Sequence, residues 1–241
     1  MGKYFGTDGY RGEANVDLTA DAAFRVGKFL GWYYQKKGRA RERCRIVIGK
    51  DTRRSSYMFE YALAAGITAA GADAYLMHVT TTPSVSFIVR SEDFSCGVMI
   101  SASHNPFQDN GIKVINENGE KLGDEVIEEI EAYLDGRTAE IPLAKGEEIG
   151  RTVDFAAGRN RYIGYLISLA TKSFKGVKVA LDCANGSASS CAKAVFDALG
   201  ADTHVISGEP NGFNINENCG STHMERLQNF VLEERCDLGF A

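Results

Sequence analysis

A serine, a histidine and a lysine gather around one turn-rich stretch, Ile100-Ser101-Ala102-Ser103-His104-Asn105-Pro106, followed by Asn110-Gly111-Ile112-Lys113. The stretch leaves an apolar run that reads as a strand, which is where an α/β protein holds a nucleophile. A serine hydroxyl attacks only once its proton is removed or its oxygen is activated. His104 neighbours Ser103 in sequence, which does not by itself bring its ring to the Ser103 oxygen, and no G-x-S-x-G elbow is present. Lys113 suits phosphate binding or proton transfer. A second constellation, Phe5-Gly6-Thr7-Asp8-Gly9-Tyr10-Arg11-Gly12, carries three glycines in eight residues. They let the backbone approach a ligand, and Arg11 offers a fork for phosphate; a flexible terminus with a solvated arginine is the plainer alternative. Asp182-Cys183-Ala184-Asn185-Gly186-Ser187 reads as a strand-to-helix turn, either an anion site or a structural bend. Gly49-Lys50-Asp51-Thr52-Arg53 ends a strand with charges suited to bracing a neighbouring loop. His78, His204 and His223 show no partner pattern and read as packing or surface residues.

The elements that must hold these residues alternate. Helical spacing over 20–37 (Ala23, Val26, Phe29, Leu30, Tyr33) closes at Gly38. Cys44 to Gly49 reads as a buried strand. Ser55 or Ser56 is placed to cap a helix that runs to about Ala70 and stops at Gly71. Ala74 to Val79 is a strand, Pro83 starts a short helix to Arg90, and Cys96 to Ser101 is a third strand. Asn110-Gly111 reads as a tight turn before a short strand from Ile112 to Ile115, and Asn118-Gly119 turns the chain again. An amphipathic helix spans 124–135, with Val126, Ile127, Ile130 and Leu134 on one side. The polar stretch 136–152 suggests a domain boundary. Beyond it come helix 155–172, strand 177–182, helix 187–199, strand 202–206, a Gly- and Asn-rich loop over 208–221, helix 222–235 and a terminal strand. The expected fold class is α/β, as two consecutive three-layer α/β/α domains with mostly parallel mixed sheets. The first covers 1–150 and the second, truncated, covers 151–241.

The 241 residues are enough for one large or two modest cores. With 27 basic against 32 acidic residues, net −5, there is no basic footprint for nucleic acid. No apolar run is long enough to span a bilayer, and Met1-Gly2-Lys3-Tyr4-Phe5-Gly6 lacks the apolar core of a signal peptide, so a cytoplasmic protein is expected. The six cysteines form no C-x-x-C pair and read as buried, reduced thiols.

Phe5 to Gly12, Gly49 to Arg53, Thr82-Pro83, Ile100 to Pro106, Asn110 to Lys113 and Asp182 to Gly186 together, and in this order, resemble the α-D-phosphohexomutase superfamily. The resemblance covers essentially the whole chain. Ser101, and Asn214-Ile215-Asn216 leading into Cys219-Gly220-Ser221-Thr222-His223, point within it towards the hexosamine-phosphate members, with the mannose and glucose mutases as the alternative. The resemblance implies four domains around a cleft, of which this chain supplies the first and most of the second. It makes Ser103 a phosphoserine that passes phosphate to a hexosamine phosphate and takes it back from a sugar bisphosphate. It puts Lys113 in proton transfer, and Arg11 and His104 in charge stabilisation and loop geometry. It also implies Mg²⁺ held by the Ser103 phosphate and by the aspartates of a D-G-D-x-D-R loop. That loop does not occur here, so the Mg²⁺ site is expected to be incomplete. The chain is expected to be an N-terminal fragment that lacks normal turnover alone. Two other readings are a non-catalytic binding module that kept the fold, and a hydrolase using Ser103 and His104. Leu238 and Phe240 on the terminal strand would need cover, by self-association or by a partner chain.

Overall fold

Period-two alternation sorts the strand side chains into two apolar layers, and helices cover each layer. The computed structural model describes residues 2–7, 9–37 and 43–241; Met1, Asp8 of the N-terminal motif and the expected helix stop at Gly38 lie outside the described residues. The strands of the first sheet are β1 (Phe5–Gly6), β2 (Gly9–Glu13), β3 (Arg45–Lys50), β4 (Asp73–Val79), β5 (Cys96–Ile100), β6 (Asp109–Ile115) and β7 (Thr152–Asp154), in the order β1-β2-β6-β5-β3-β4-β7. β5, β3, β4 and β7 run parallel to one another, whereas β6 pairs antiparallel with both β5 and β2. Interspersed helices are α1 (Ala20–Lys37), α2 (Arg54–Ala69), α3 (Thr82–Ser91) and α4 (Asp124–Leu134). Ile46, Ile48, Val98, Ile112 and Val114 face the core shared with α1, α2 and α4. Val47, Met77, Met99 and Ile115 face the opposite core, which α3 covers with Val85, Ile88 and Val89.

After the polar linker, α5 (Ala156–Leu169) packs on α3, with Phe87 stacked on Tyr165 at 4.3 Å between ring centroids. The second sheet is wholly parallel: β8 (Lys178–Asp182) lies between β9 (Asp202–Ile206) and β10 (Leu238–Phe240), with α6 (Ala192–Ala198) and α7 (Glu225–Glu233) alongside. The fold is therefore mixed α/β with mostly parallel sheets. On the edge strand β10 Leu238 and Phe240 are exposed, and Phe240 stacks on Phe196.

Several local expectations are corrected. Asn110-Gly111 is not a turn: both residues lie inside β6, opposite Gly12 and Arg11 of β2. A Cβ on Gly111 would come within 2.8 Å of the Ser101 carbonyl oxygen and 3.0 Å of Arg11 Cγ, so glycine is required by the close approach of a neighbouring strand. Ser55 and Ser56 are not caps; they sit in the first turn of α2, and Ser56 Oγ donates to Asp51. The helix expected over 187–199 breaks at Cys191 into a 3₁₀ turn, Ser187–Ser190, and α6. His78 has acidic neighbours: its ring nitrogens lie 3.7 Å from Glu60 Oε1 and 3.5 Å from Asp154 Oδ1. His204 lies 3.1 Å from Asp202. Cys44 and Cys183 are buried, and burial pushes each thiol up to about 11. No helix among the described residues is long and apolar enough to cross a membrane.

A carboxylate unnoticed in the sequence holds the N-terminal segment in place. Glu131, buried on α4, accepts the backbone N–H groups of Lys3, Tyr4 and Phe5 at 2.8–2.9 Å. Burial works to raise its carboxyl, but the three N–H donors outweigh it and hold Glu131 below the usual carboxylate range. Because the folded value is the lower one, this stabilisation is present above the unfolded value of about 4.3 and is lost as pH falls through the folded value. Glu131→Gln therefore flattens the acid limb of a plot of urea midpoint against pH; an unchanged slope below about pH 4.3 would contradict this role for Glu131. Close approach of α1 to α2 rests on Gly66, where a Cβ would run into the Phe24 carbonyl oxygen of α1. Gly66→Ala is expected to lower stability by about 1–3 kcal/mol through overpacking, read by urea unfolding.

Candidate active site

Ser103 lies on the loop that leaves the carboxyl end of β5, where ligands of open α/β sheets bind. Its backbone is left-handed (φ +58°), a conformation that costs a non-glycine residue of order 1 kcal/mol or more. The loop holds it there by hydrogen bonds. Ser103 N–H donates to Ser101 Oγ (3.0 Å), and buried Ser101 donates its own N–H to the Gly111 carbonyl (2.9 Å). Asn105 Nδ2 donates to Asp109 Oδ2 at 2.8 Å. Ser103 and His104 are exposed, and among the described residues no hydrogen bond joins the Ser103 hydroxyl to the His104 ring.

The main restraint on the loop comes from the end of β3. Arg53 is fully buried, and its Nη2 donates to the carbonyls of Ser103 (3.2 Å) and Asn105 (2.6 Å). Its Nη1 pairs with Asp51 Oδ2, while Asp51 Oδ1 accepts Arg53 N–H (3.0 Å) and Ser56 Oγ (2.7 Å). Asn110 Nδ2 donates to Ser55 and Ser56 Oγ, tying β6 to the same cluster. The bracing expected of Gly49 to Arg53 is thus made by Arg53 itself.

The same two carbonyls accept a second donor from the other sheet's loops. Asn216 Nδ2 lies 2.9 Å from the Ser103 oxygen and 2.9 Å from the Asn105 oxygen. The turn Asp182 to Gly186 carries this loop: Asn216 N–H donates to the Ala184 carbonyl, Asn185 Nδ2 to the Asn214 carbonyl, and Gly220 N–H to Asp182 Oδ2. Thr52 Oγ1 donates to the Asn185 carbonyl at 2.6 Å and closes the circuit back to β3. The sequence marks Asn216 only as part of the Asn214-Ile215-Asn216 family motif and gives it no place in the site.

Arg11 and Lys113 belong to the adjoining strands. In the pairing of β2 with β6, Arg11 is opposite Gly111, and Lys113 is two residues further along the same face. Both are half-buried. Lys113 lines a cavity of about 410 Å³ with Thr7, Gly9, Thr82 and Ser86. The geometry thus brings Arg11 and Lys113 onto one face and Ser103 and His104 onto the adjacent loop. A guanidinium and an ammonium on strands adjoining the loop of an exposed hydroxyl are groups that suit a phosphoryl group, whose transfer needs positioning and charge neutralisation. A metal is a different matter. Among the described residues no group of three or more His, Cys, Asp or Glu could hold an ion. Asp51 and Asp109, the carboxylates of the loop region, are engaged by Arg53 and Asn105. The described residues do not make a Mg²⁺ site by themselves.

The site is thus an exposed serine on the loop after a strand's carboxyl end in an α/β fold, with two basic residues on the adjoining strands. A family model described as phosphoglucomutase/phosphomannomutase, alpha/beta/alpha domain I matches residues 2–140, and the chain belongs to that family. It is 68% identical over its whole length to the phosphoglucosamine mutase of Lachnoclostridium phytofermentans and 46% identical to that of Bacillus subtilis, covering 53% of each. The chain spans about half the length of the curated relatives it matches. Among solved structures, a phosphoglucomutase/phosphomannomutase family protein from Burkholderia thailandensis superposes with a TM-score of 0.79 at 24% identity, over 99% of this chain and 52% of that one, which supports the fold.

Strain at Ser103 gives a direct test of the loop geometry. Ser103→Gly relieves the left-handed conformation and is expected to raise stability by about 1 kcal/mol in urea unfolding. A loss of stability instead would mean that the side chain, not the backbone restraints, sets the conformation.

Proposed function

We propose that this chain carries the phosphate-shuttling half of a phosphoglucosamine mutase, which interconverts glucosamine 6-phosphate and glucosamine 1-phosphate. The observation that carries the reading is Ser103, exposed at left-handed φ on a loop fixed at both carbonyls, with Arg11 and Lys113 on the adjacent strands. High identity to the Lachnoclostridium relative over all 241 residues supports the choice of sugar.

In this mechanism phospho-Ser103 gives its phosphoryl group to the C1 hydroxyl of glucosamine 6-phosphate. The Ser103 Oγ–P bond breaks, the sugar O–P bond forms, and the hydroxyl proton passes to Lys113 in its neutral amine form, which hands it on to the departing Ser103 Oγ. The bisphosphate reorients, and its 6-phosphoryl returns to Ser103 Oγ, whose proton passes by the same route to the sugar's 6-oxygen. Arg11 neutralises charge on the transferring group, and His104 shapes the loop and adds positive character when protonated. Neutralisation by positioned donors is the main catalytic contribution available in phosphoryl transfer. Mg²⁺ belongs to the same proposal. It would add charge neutralisation at the phosphoserine, with hard oxygen ligands that must come from outside the described residues. The division into units 1–150 and 151–241 is likewise proposed, with the carrier loop in the first and its brace in the second.

The test measures mutase turnover on glucosamine 6-phosphate, with Mg²⁺ and a sugar bisphosphate, for these 241 residues and for a chain extended to the relatives' full length. Only the extended chain is expected to turn over. Ser103→Ala in it is expected to cost about 10³-fold or more in kcat, as loss of a covalent carrier should. Turnover surviving in Ser103→Ala overturns the carrier role, and faster turnover of mannose or glucose phosphates overturns the sugar assignment. No Ser103 phosphate under any condition would favour a binding module.

A further inference from the structure

The Asn214-Ile215-Asn216 motif has a task that the mutase reading leaves unassigned. The carbonyls of Ser103 and Asn105 converge on the same two donors. Arg53 Nη2 reaches both from beneath the first sheet, and Asn216 Nδ2 reaches both from the second sheet's loop. Carbonyl dipoles converging in this way repel each other unless donors stand between them, and two NH₂ groups supply that here. The Asn216 side chain crosses 113 positions of sequence to do so. Its own backbone is left-handed (φ +60°), which asparagine tolerates better than most residues, and its N–H is anchored on the Ala184 carbonyl.

We infer that Asn216 is a positioning residue for the phosphoserine loop, donating from the second unit to set the angle at which Ser103 Oγ is presented. This inference rests on the mutase reading of Ser103. Arg53 alone does not fix the loop's tilt, because a single nitrogen at 3.2 Å and 2.6 Å leaves the pair of carbonyls free to rock about it. A second donor on the same pair removes that freedom. Misplacement of a reacting group by about 1 Å can cost 10²-fold in rate, so the clamp acts on kcat rather than on substrate affinity. Any shift of the 214–220 loop relative to the first sheet would reach Ser103 through the same two hydrogen bonds.

The test uses Asn216→Asp and Asn216→Gly in the chain extended to the relatives' full length. Asp keeps the size and the left-handed tolerance but turns a donor into a carboxylate facing two carbonyls; Gly keeps the backbone and removes the donor. Asn216→Asp is expected to lower kcat about 10- to 100-fold with KM changed by less than about threefold. Its deficit relative to wild type should shrink as pH falls towards carboxyl protonation, because the neutral acid donates again. Asn216→Gly should lose less and show no such pH recovery. Amide exchange over residues 103–107 should rise in both. Wild-type kcat in Asn216→Asp, a pH-independent deficit, or unchanged exchange overturns the inference. If the unmutated extended chain does not turn over, the mutase reading fails, and exchange over 103–107 still decides whether Asn216 holds the loop.

Discussion

A guanidinium with no access to water governs how this site is built. Arg53 is fully buried, and a buried charge persists only where partners replace its hydration. Asp51 supplies the countercharge, and its remaining oxygen is taken by Arg53 N–H and Ser56 Oγ. Its Nη2 faces the Ser103 loop and donates to two carbonyls there, while Nε is buried without a hydrogen-bond partner among the described residues. The loop is therefore a partner the arginine requires, and the arginine is what gives an exposed, strained serine a fixed backbone. A second buried pair, Lys50 with Glu60, sits at the same strand end, with the Tyr57 ring 3.8 Å from the Lys50 ammonium. Removing one member of either pair would strand the other charge without water.

Strain at Ser103 makes sense only in this setting. A left-handed serine relaxes unless its surroundings overdetermine it, and here the restraints come from β5, β6, the end of β3 and the loop around Asn216. Phosphoryl transfer offers a protein little covalent work beyond the carrier itself, so the rate depends on where oxygen and phosphorus meet. A loop fixed by its carbonyls leaves the exposed Ser103 side chain clear of those restraints, while the Ser103 and Asn105 N–H groups are taken by Ser101 Oγ and the Ala102 carbonyl. Arg11 and Lys113 approach from strands whose register is locked by Gly111, since any side chain there would push Arg11 and the Ser101 carbonyl apart.

Elements were legible because their signals are local. Apolar alternation and helical spacing placed β3 to β5, α1, α3 and α4 within a residue or two of their observed ends. Ser103, His104, Lys113 and Arg11 stood out because their residue types sit beside glycines and turn formers. Asn110-Gly111 misled for the same reason: a dipeptide that usually turns was used to let two strands approach. Glu131 stayed hidden, and the Asn216 motif gave no hint of its contact, because each acts on backbone more than a hundred positions away. Nothing in the spacing around α4 marks one glutamate as buried, and nothing in an Asn-rich loop says which amide faces out. Contacts of this kind depend on how two elements meet, and periodicity carries no record of that.

On the proposed mutase reading, the partners of the loop's carboxylates bear on the order in which phosphate and a dication would be held. Among the described residues, Asp51 pairs with Arg53, and Asp109 accepts a hydrogen bond from Asn105. Arg11 and Lys113 on the adjoining strands are basic residues, which favour a phosphate and disfavour a dication. A Mg²⁺ ion would be drawn here only after phosphorylation, when the phosphoserine oxygens supply negative charge, and would still need carboxylates whose charge is not spoken for. On that proposal the loop seats the phosphate, metal affinity would be conditional on it, and Ser103 would be charged with phosphoryl before a metal contributed to moving it.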